Sequence, residues 1–304
     1  MVTGATGFVG KAVVKRLVGE GHQVMALGRR PIAQDETPAQ QTVSVDLASA
    51  APADLLNGQD LVVHLAARAH ARGSTPEDFE RDTIGVARNV ARQAARAGVG
   101  RAILLSSIGA RIAEERDSGA REYGRAKLRA EHEFRGALDG TGCRLITLRP
   151  PVIYGPDAPG SFGSLVHWVS RGRPLPFGMA RSKRSYLSRH NLVDLLAGLA
   201  SADDDRWKAA DGLVFEPSDG HPISTRDLSI AIGKAVARPA RLLPIPPLVL
   251  RSVGKLLGKA ELASGALDTL IVQPQPSLED YFGWAAEARL PETLEFLKPA
   301  SMRR

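Results

Sequence analysis

Apolar residues in the first half of the chain recur in two alternating rhythms. After a glycine-rich turn at 4–10, Val13, Val14, Leu17 and Val18 fall at helical spacing within 11–19. Short apolar runs at 22–27, 42–45, 60–66, 101–106 and 144–148 read as strands, and the run at 60–66 reads as a buried one. The segments 76–97, closed by Gly98, and 122–138 carry helical patterns. Strands alternating with helices predict parallel βαβ units, so the expected fold class is α/β with a doubly wound parallel sheet of the Rossmann type.

Beyond Arg149 the rhythm breaks. Pro150, Pro151, Pro156, Pro159, Pro174 and Pro176 interleave with Gly155, Gly160, Gly163, Gly172 and Gly178. Such a stretch cannot extend a sheet smoothly, and it predicts loops with a short helix over the strand ends. A helix is expected at 191–200, a last strand at 212–215, and a helix capped by Ser224 or Thr225 that runs to Val236. The apolar run 242–250 holds three prolines and leads into an amphipathic stretch reaching Leu257, and 291–304 reads as a helix with a frayed basic tail.

Composition narrows the class. A hydrophobic fraction of 43% over 304 residues excludes disorder for most of the chain. The net charge of +7 is spread along the sequence and does not indicate nucleic acid, although it suits phosphorylated small molecules or an anionic surface. The single cysteine, Cys143, can form neither an intrachain disulfide nor a cysteine metal cluster, which fits a reducing cytoplasm. No His/Asp/Glu grouping has metal spacing, so no metal is expected. With no apolar run of ~18 residues and no charged leader, the expectation is a soluble, cytoplasmic, unprocessed protein without stable membrane insertion.

The turn Thr3-Gly4-Ala5-Thr6-Gly7-Phe8-Val9-Gly10 lies between a first strand and a helix. Its glycines at 4, 7 and 10 allow a tight turn, close backbone approach to a pyrophosphate, and close helix packing, with the helix N-terminus facing the phosphates. Only Met1 and Val2 precede it, so the first strand is unusually short or the true start lies several codons upstream. About 20 residues on, an acid ordinarily holds the cofactor ribose. Here Gly28-Arg29-Arg30 stands instead, with no carboxylate until Asp35. Guanidinium groups clamp a 2′-phosphate that an acid would repel, so NADP is expected ahead of NAD. Asp46 and Leu47, after the third strand, are candidates to meet the adenine, the alternative for Asp46 being a helix cap.

Tyr123 and Lys127 stand four apart at a helix start, on one face. A phenol titrates near 10, and a neighbouring ammonium brings it toward useful acid–base chemistry. Ser107 ends the preceding strand, where its hydroxyl can donate to a substrate oxygen.

On these residues the chain resembles the extended short-chain dehydrogenase/reductases, in their nucleotide-sugar epimerase/dehydratase branch. The shared motifs are the glycine turn, His64-Leu65-Ala66-Ala67, Leu105-Ser106-Ser107, Tyr123 with Lys127, Arg149-Pro150-Pro151-Val152-Ile153-Tyr154-Gly155-Pro156, and Arg184-Ser185-Tyr186. The run from Phe162 through Arg173 to Asn191-Leu192-Val193-Asp194 is similar to 4-ketoreductases that make UDP-N-acetylquinovosamine. The resemblance implies a catalytic Ser107, Tyr123 and Lys127. It implies a cofactor lined by Gly4, Thr6, Gly7, Phe8, Val9, Gly10, Ala66, Ala67, Tyr123 and Lys127, with Pro150 beside the nicotinamide. It places Ser107, Tyr123 and Arg184 on the substrate, Arg184 at its pyrophosphate. It also implies a homodimer built from the helices 76–97 and 122–138. Two domains are expected: a dinucleotide-binding domain over 1–151 with 187–218, and a substrate-binding lobe over 152–186 with 219–304. Two departures stand out. Asp82 occupies the place of a family asparagine, and Ser107 and Tyr123 are only sixteen apart, which predicts a short loop and a wider substrate opening.

Other residues take plainer readings. His64 is expected as a hydrogen-bonded core residue, and Arg68, His70 and Arg72 as surface loop, with Arg68 a candidate phosphate or sugar contact. Arg181, Lys183 and Arg189 read as a solvated basic face around Arg184. The stretch Leu248 to Leu257, with Lys255 inside it and Lys259 beyond, is expected to pack against the lobe in preference to touching a membrane surface.

The expected function is reduction of the C4 keto group of a UDP-4-keto-6-deoxy-(amino)hexose by NADPH. A UDP-hexose 4-epimerase with tightly bound NAD is the alternative. A non-catalytic NADP-sensing protein is a second alternative, and an intact Ser107, Tyr123 and Lys127 argues against it.

Overall fold

The computed structural model describes residues 1–32, 38–49, 52, 54–68, 73–116, 122–256, 265–287, 289–290 and 292–298. Asp35, His70, Arg72, Leu257, Lys259 and the tail 299–304 lie outside the described residues. The chain divides into two compact units, 1–150 with 192–217 and 273–285, and 151–191 with 218–272 and 286–304.

The first unit is built on a seven-stranded sheet. Its strands are β1 (Val2–Thr3), β2 (Met25–Gly28), β3 (Gln41–Ser44), β4 (Leu61–His64), β5 (Arg101–Leu105), β6 (Arg144–Leu148) and β10 (Val214–Phe215). Spatial order is β10-β6-β5-β4-β1-β2-β3, and every pairing is parallel. The chain therefore reverses direction across the sheet between β1 and β4, the switch point where ligands of such sheets gather. Two residues suffice for β1 because its neighbours extend the pairing: Val63 N–H donates to the Met1 carbonyl and Ala5 N–H to Leu27.

Helices cover this sheet through regular stripes. In α1 (Gly10–Gly19) the buried positions are Gly10, Val13, Val14 and Leu17. In α5 (Glu122–Leu138), Ala126, Ala130, Phe134 and Leu138 repeat every fourth residue and join the same core as Val90, Ala91 and Ala94 of α3 (Val86–Arg96). The expected single helix over 76–97 is three pieces: α2 (Pro76–Phe79), a π-helical segment (Glu80–Gly85), and α3. Two helices were not foreseen. One is α4 (Ile108–Glu115), capped by Ser107, where a bare loop was expected; the other is α8 (Asp204–Ala209), capped by Asp203. The expected helix at 191–200 is α7 (Arg189–Ser201). Residues 273–285, read from sequence as part of the smaller lobe, belong to the first unit. There α11 (Leu278–Phe282) sets the Tyr281 and Phe282 rings edge-on to fully buried Phe215.

The second unit has two small sheets, β7 (Val152–Tyr154) parallel to β9 (Tyr186–Ser188) and β8 (Lys183–Arg184) antiparallel to β11 (Ile223–Ser224). Around them stand α6 (Gly160–Ser170), α9 (Thr225–Ala235) and α10 (Pro247–Leu256), with a 3-10 turn at Glu292–Leu297. Ser224 is the cap of α9, accepting from Asp227 N–H. Tyr154 is fully buried and donates to Asp219 at 2.6 Å, while Asp219 also accepts from Ser188 N–H and the Asn191 amide. The expectation that 248–257 packs against the lobe fails for α10: Gly254 is its only buried residue, and Leu248 and Leu256 stand in solvent. Nowhere among the described residues is a helix long and apolar enough to cross a membrane.

Candidate active site

The exits of β1, β2, β4, β5 and β6 lie at one edge of the parallel sheet. Gly4 turns there at φ +65°, and a Cβ on it would stand 3.0 Å from Ala66 N and 3.1 Å from the Leu65 carbonyl carbon. A Cβ on Gly10 would fall 2.1 Å from the Gly4 oxygen, so a side chain is excluded there, while at Gly4 one would be strained by the positive φ and crowded by Ala66. Hydrogen bonds from Gly7 N to Gly4 O (2.9 Å) and from Lys11 N to Gly7 O (3.1 Å) tighten the turn. No side chain caps α1, and its first turn holds no carboxylate. The positive end of the helix is thus offered to an anion, and the turn fits the pyrophosphate of a dinucleotide.

Gly28 closes β2 against this turn, its position 3.2 Å from the Thr6 methyl if a Cβ were added. Arg29 and Arg30 follow and are exposed. The Arg29 guanidinium lies 3.5 Å from the buried carboxylate of Asp82, which also accepts from Arg68 at 2.7 Å and Arg81 at 3.0 Å. Three cations therefore balance the acid that stands in the asparagine's place. Arg68 is not loose surface loop: it also meets Asp78 and Ser74, and its N–H donates to Thr83. Asp46 is exposed and accepts from Ala48 N–H, holding its own turn, while the Leu47 side chain enters the core.

Thr3 fixes the exit of β4. Its hydroxyl oxygen accepts from Leu65 N–H and Ala66 N–H, both at 3.1 Å, so its one proton goes to His64 Nδ1 at 2.9 Å. His64 accordingly carries its proton on Nε2 and is the expected core histidine. Burial, with the nearby Lys127 charge, pushes it down to about 3.

Ser107, Tyr123 and Lys127 come together at the exit of β5. Ser107 caps α4 by accepting from Gly109 N–H at 3.1 Å and is hydrogen-bonded to the half-buried Tyr123 hydroxyl. Burial pushes the phenol up, and the bond to Ser107 pulls it back. Lys127, one turn along α5, is buried and donates to the Leu105 carbonyl at 3.0 Å. Burial lowers its ammonium to about 8 against the opposing pull of Glu131. A small cavity of about 10 Å³ joins Lys127 to His64, Ala66, Ala67 and Ser106, which puts the expected cofactor-lining alanines beside the lysine. The Pro150 carbonyl accepts from Ile108 N–H, tying the exit of β6 to the start of α4.

Two supports of this cluster were not foreseen. Gly124 faces Gly109 so closely that a Cβ would sit 2.5 Å from the Gly109 oxygen, which locks α4 on α5 beside Tyr123. Glu131, buried, takes three hydrogen bonds from the Arg149 guanidinium at 2.6–3.2 Å and one from Ser106; Arg149 also reaches Glu114. The signal for Glu131 is present in the sequence, since 123, 127 and 131 fall on one helical stripe. Arg184 belongs to the second unit, where it is buried and its guanidinium donates to the Asp268 carbonyl at 2.8 Å. No group of three metal-ligating side chains occurs among the described residues.

Residues 1–205 match the NAD dependent epimerase/dehydratase family. A UDP-glucose 4-epimerase of Vibrio cholerae is 32% identical over 97% of this chain and 92% of that enzyme. A 2-alkyl-3-oxoalkanoate reductase of Stenotrophomonas maltophilia is 28% identical over 79% of this chain and 76% of that protein. Among solved structures, MoeE5 in complex with UDP-glucuronic acid and NAD superposes with a TM-score of 0.75 at 22% identity, covering 96% of this chain and 95% of that one. With the family matched over two thirds of its length and its cofactor turn in place, the chain belongs to the NAD dependent epimerase/dehydratase family.

Proposed function

We propose that this enzyme interconverts epimers at C4 of a UDP-linked hexose. The observation that carries the reading is the hydrogen-bonded Ser107–Tyr123 pair with Lys127 one turn behind it, at the same sheet edge as the dinucleotide turn. Near-full-length similarity to a UDP-glucose 4-epimerase supports the substrate class. Bound NAD supplies a reversible hydride acceptor for C4. Tyr123 removes the C4 hydroxyl proton and returns it, the same group serving both directions. Ser107 donates to the substrate oxygen and holds it against the phenol. Lys127 places a positive charge near Tyr123 and so favours the phenolate that the chemistry needs. Gly4, Thr6, Gly7, Phe8, Val9 and Gly10 hold the pyrophosphate, Ala66, Ala67 and Pro150 line the nicotinamide end, and Arg184 binds the substrate pyrophosphate.

A second reading has one observation in its favour. Arg29 and Arg30, in place of a ribose-binding acid, suit NADPH and hence the 4-ketoreductase acting on a UDP-4-keto-6-deoxy-(amino)hexose. Incubation with UDP-glucose or UDP-galactose, with product analysis, separates the two. Interconversion without net consumption of coenzyme supports the epimerase. Inertness toward both hexoses, with stoichiometric NADPH oxidation by a UDP-4-keto sugar, replaces it with the reductase.

A further inference from the structure

The α10 helix presents its apolar residues to solvent. Leu248 and Leu256 are 78% and 86% exposed, and Val249, Val253 and the preceding Leu243 are about half exposed. These five make up most of the large apolar side chains exposed among the described residues. Positions 248, 249, 252, 253 and 256 form one stripe along the helix, apolar except for Ser252, with Arg251 and Lys255 at its flank. The surrounding chain is basic. Between 228 and 259 there are six Lys or Arg and no Asp or Glu. The second unit as a whole holds seventeen Lys or Arg against eight Asp or Glu, so it carries the protein's positive charge while the first unit is slightly acidic. Arg251 shares its charge with Asp268 at 2.6 Å, whereas Lys255, Lys234 and Arg241 are exposed.

We propose that α10 docks this unit on an anionic phospholipid surface. A surface helix with an outward apolar stripe, cations beside it and no carboxylate of its own, its Arg251 paired to Asp268, is matched to the headgroup region of an anionic bilayer. Ten residues span about 15 Å, so the helix lies in the interface and does not cross it. A second copy of the chain is the poorer occupant. A two-fold contact through α10 would set one predominantly basic surface against another, with Asp268 already paired to Arg251, and like charges across an interface disfavour it.

Flotation of the full-length protein with phosphatidylcholine vesicles, with and without phosphatidylglycerol, tests the proposal. Binding is expected only with phosphatidylglycerol and is expected to fall at high salt. Leu248→Asp combined with Leu256→Asp should abolish it, and Lys255→Glu should weaken it at least about fivefold. Because these side chains are exposed, melting temperature and turnover of a soluble substrate should not change. Lys255→Glu leaves the apolar stripe intact and keeps the test valid if the double variant fails to fold. Three results would overturn the proposal: no phosphatidylglycerol-dependent binding, undiminished binding by Lys255→Glu, or light scattering in which the double variant splits a larger oligomer. The last would make α10 a contact between copies. The vesicle readout is independent of which sugar the enzyme turns over.

Discussion

Replacing Gly124 by alanine adds one methyl group where α5 leans on α4. The new Cβ would lie 2.5 Å from the Gly109 oxygen, against an ordinary contact of 3.4 Å, so the helices must part by about 0.9 Å. That obstacle is backbone and has no flexible end to swing aside. Overpacking of this kind costs roughly 1–3 kcal/mol. The functional loss should be larger in proportion. Ser107 caps α4 through Gly109 N–H, so a shift of Gly109 moves the serine away from Tyr123. A displacement near 1 Å at reacting groups costs about 10²-fold in rate. Gly136→Ala, in the same helix, is the control: it is exposed and no atom lies within 4 Å of an added Cβ. Alanine there should stabilise by ~1 kcal/mol and raise the melting temperature by ~2 °C, with turnover unchanged. Single-turnover rates and thermal unfolding of both variants decide the matter. Parental turnover in Gly124→Ala, or an equal loss in Gly136→Ala, would refute the packing argument.

Tyr123→Phe should cost about 10²–10⁴-fold in turnover with little change in substrate affinity, Lys127→Ala more, and Ser107→Ala least, read as single-turnover rates. Full turnover in Tyr123→Phe would remove the phenol from the reaction. Acid should destabilise the fold through His64: the unfolded chain takes up a proton below about pH 6.5 that the buried imidazole refuses until about pH 3, so stability rises with pH across that window. The effect is on the order of 5 kcal/mol, and urea unfolding of His64→Leu should show a weaker pH dependence. In cofactor titrations Arg29→Ala should weaken NADPH binding, and Asp82→Asn should strengthen it by releasing the guanidinium that Asp82 holds; equal NADH and NADPH affinities in the parent would end the claim. The protein should scatter light as a homodimer at micromolar concentration, and a monomer mass would rule out pairing through α5 and its neighbours.

The alternation of apolar runs by itself determined the parallel α/β sheet, because strands and helices bury their faces with different periods and parallel strands need a crossover. It also determined the glycine turn and the Tyr123–Lys127 stripe and narrowed the cap of α9 to Ser224 or Thr225, since each depends on residues a few positions apart. What only the tertiary structure decided rests on contacts between distant segments. Nothing local marks Gly124 as the residue on which α4 rests, and nothing near Asp82 announces that Arg29 and Arg68 join its neighbour Arg81 there. The assignment of 273–285 to the first unit follows from aromatic contacts with Phe215, more than sixty residues earlier. The outward face of α10 was misjudged for the same reason. An amphipathic pattern states that a helix has an apolar side, but only the packed chain shows whether another element covers it.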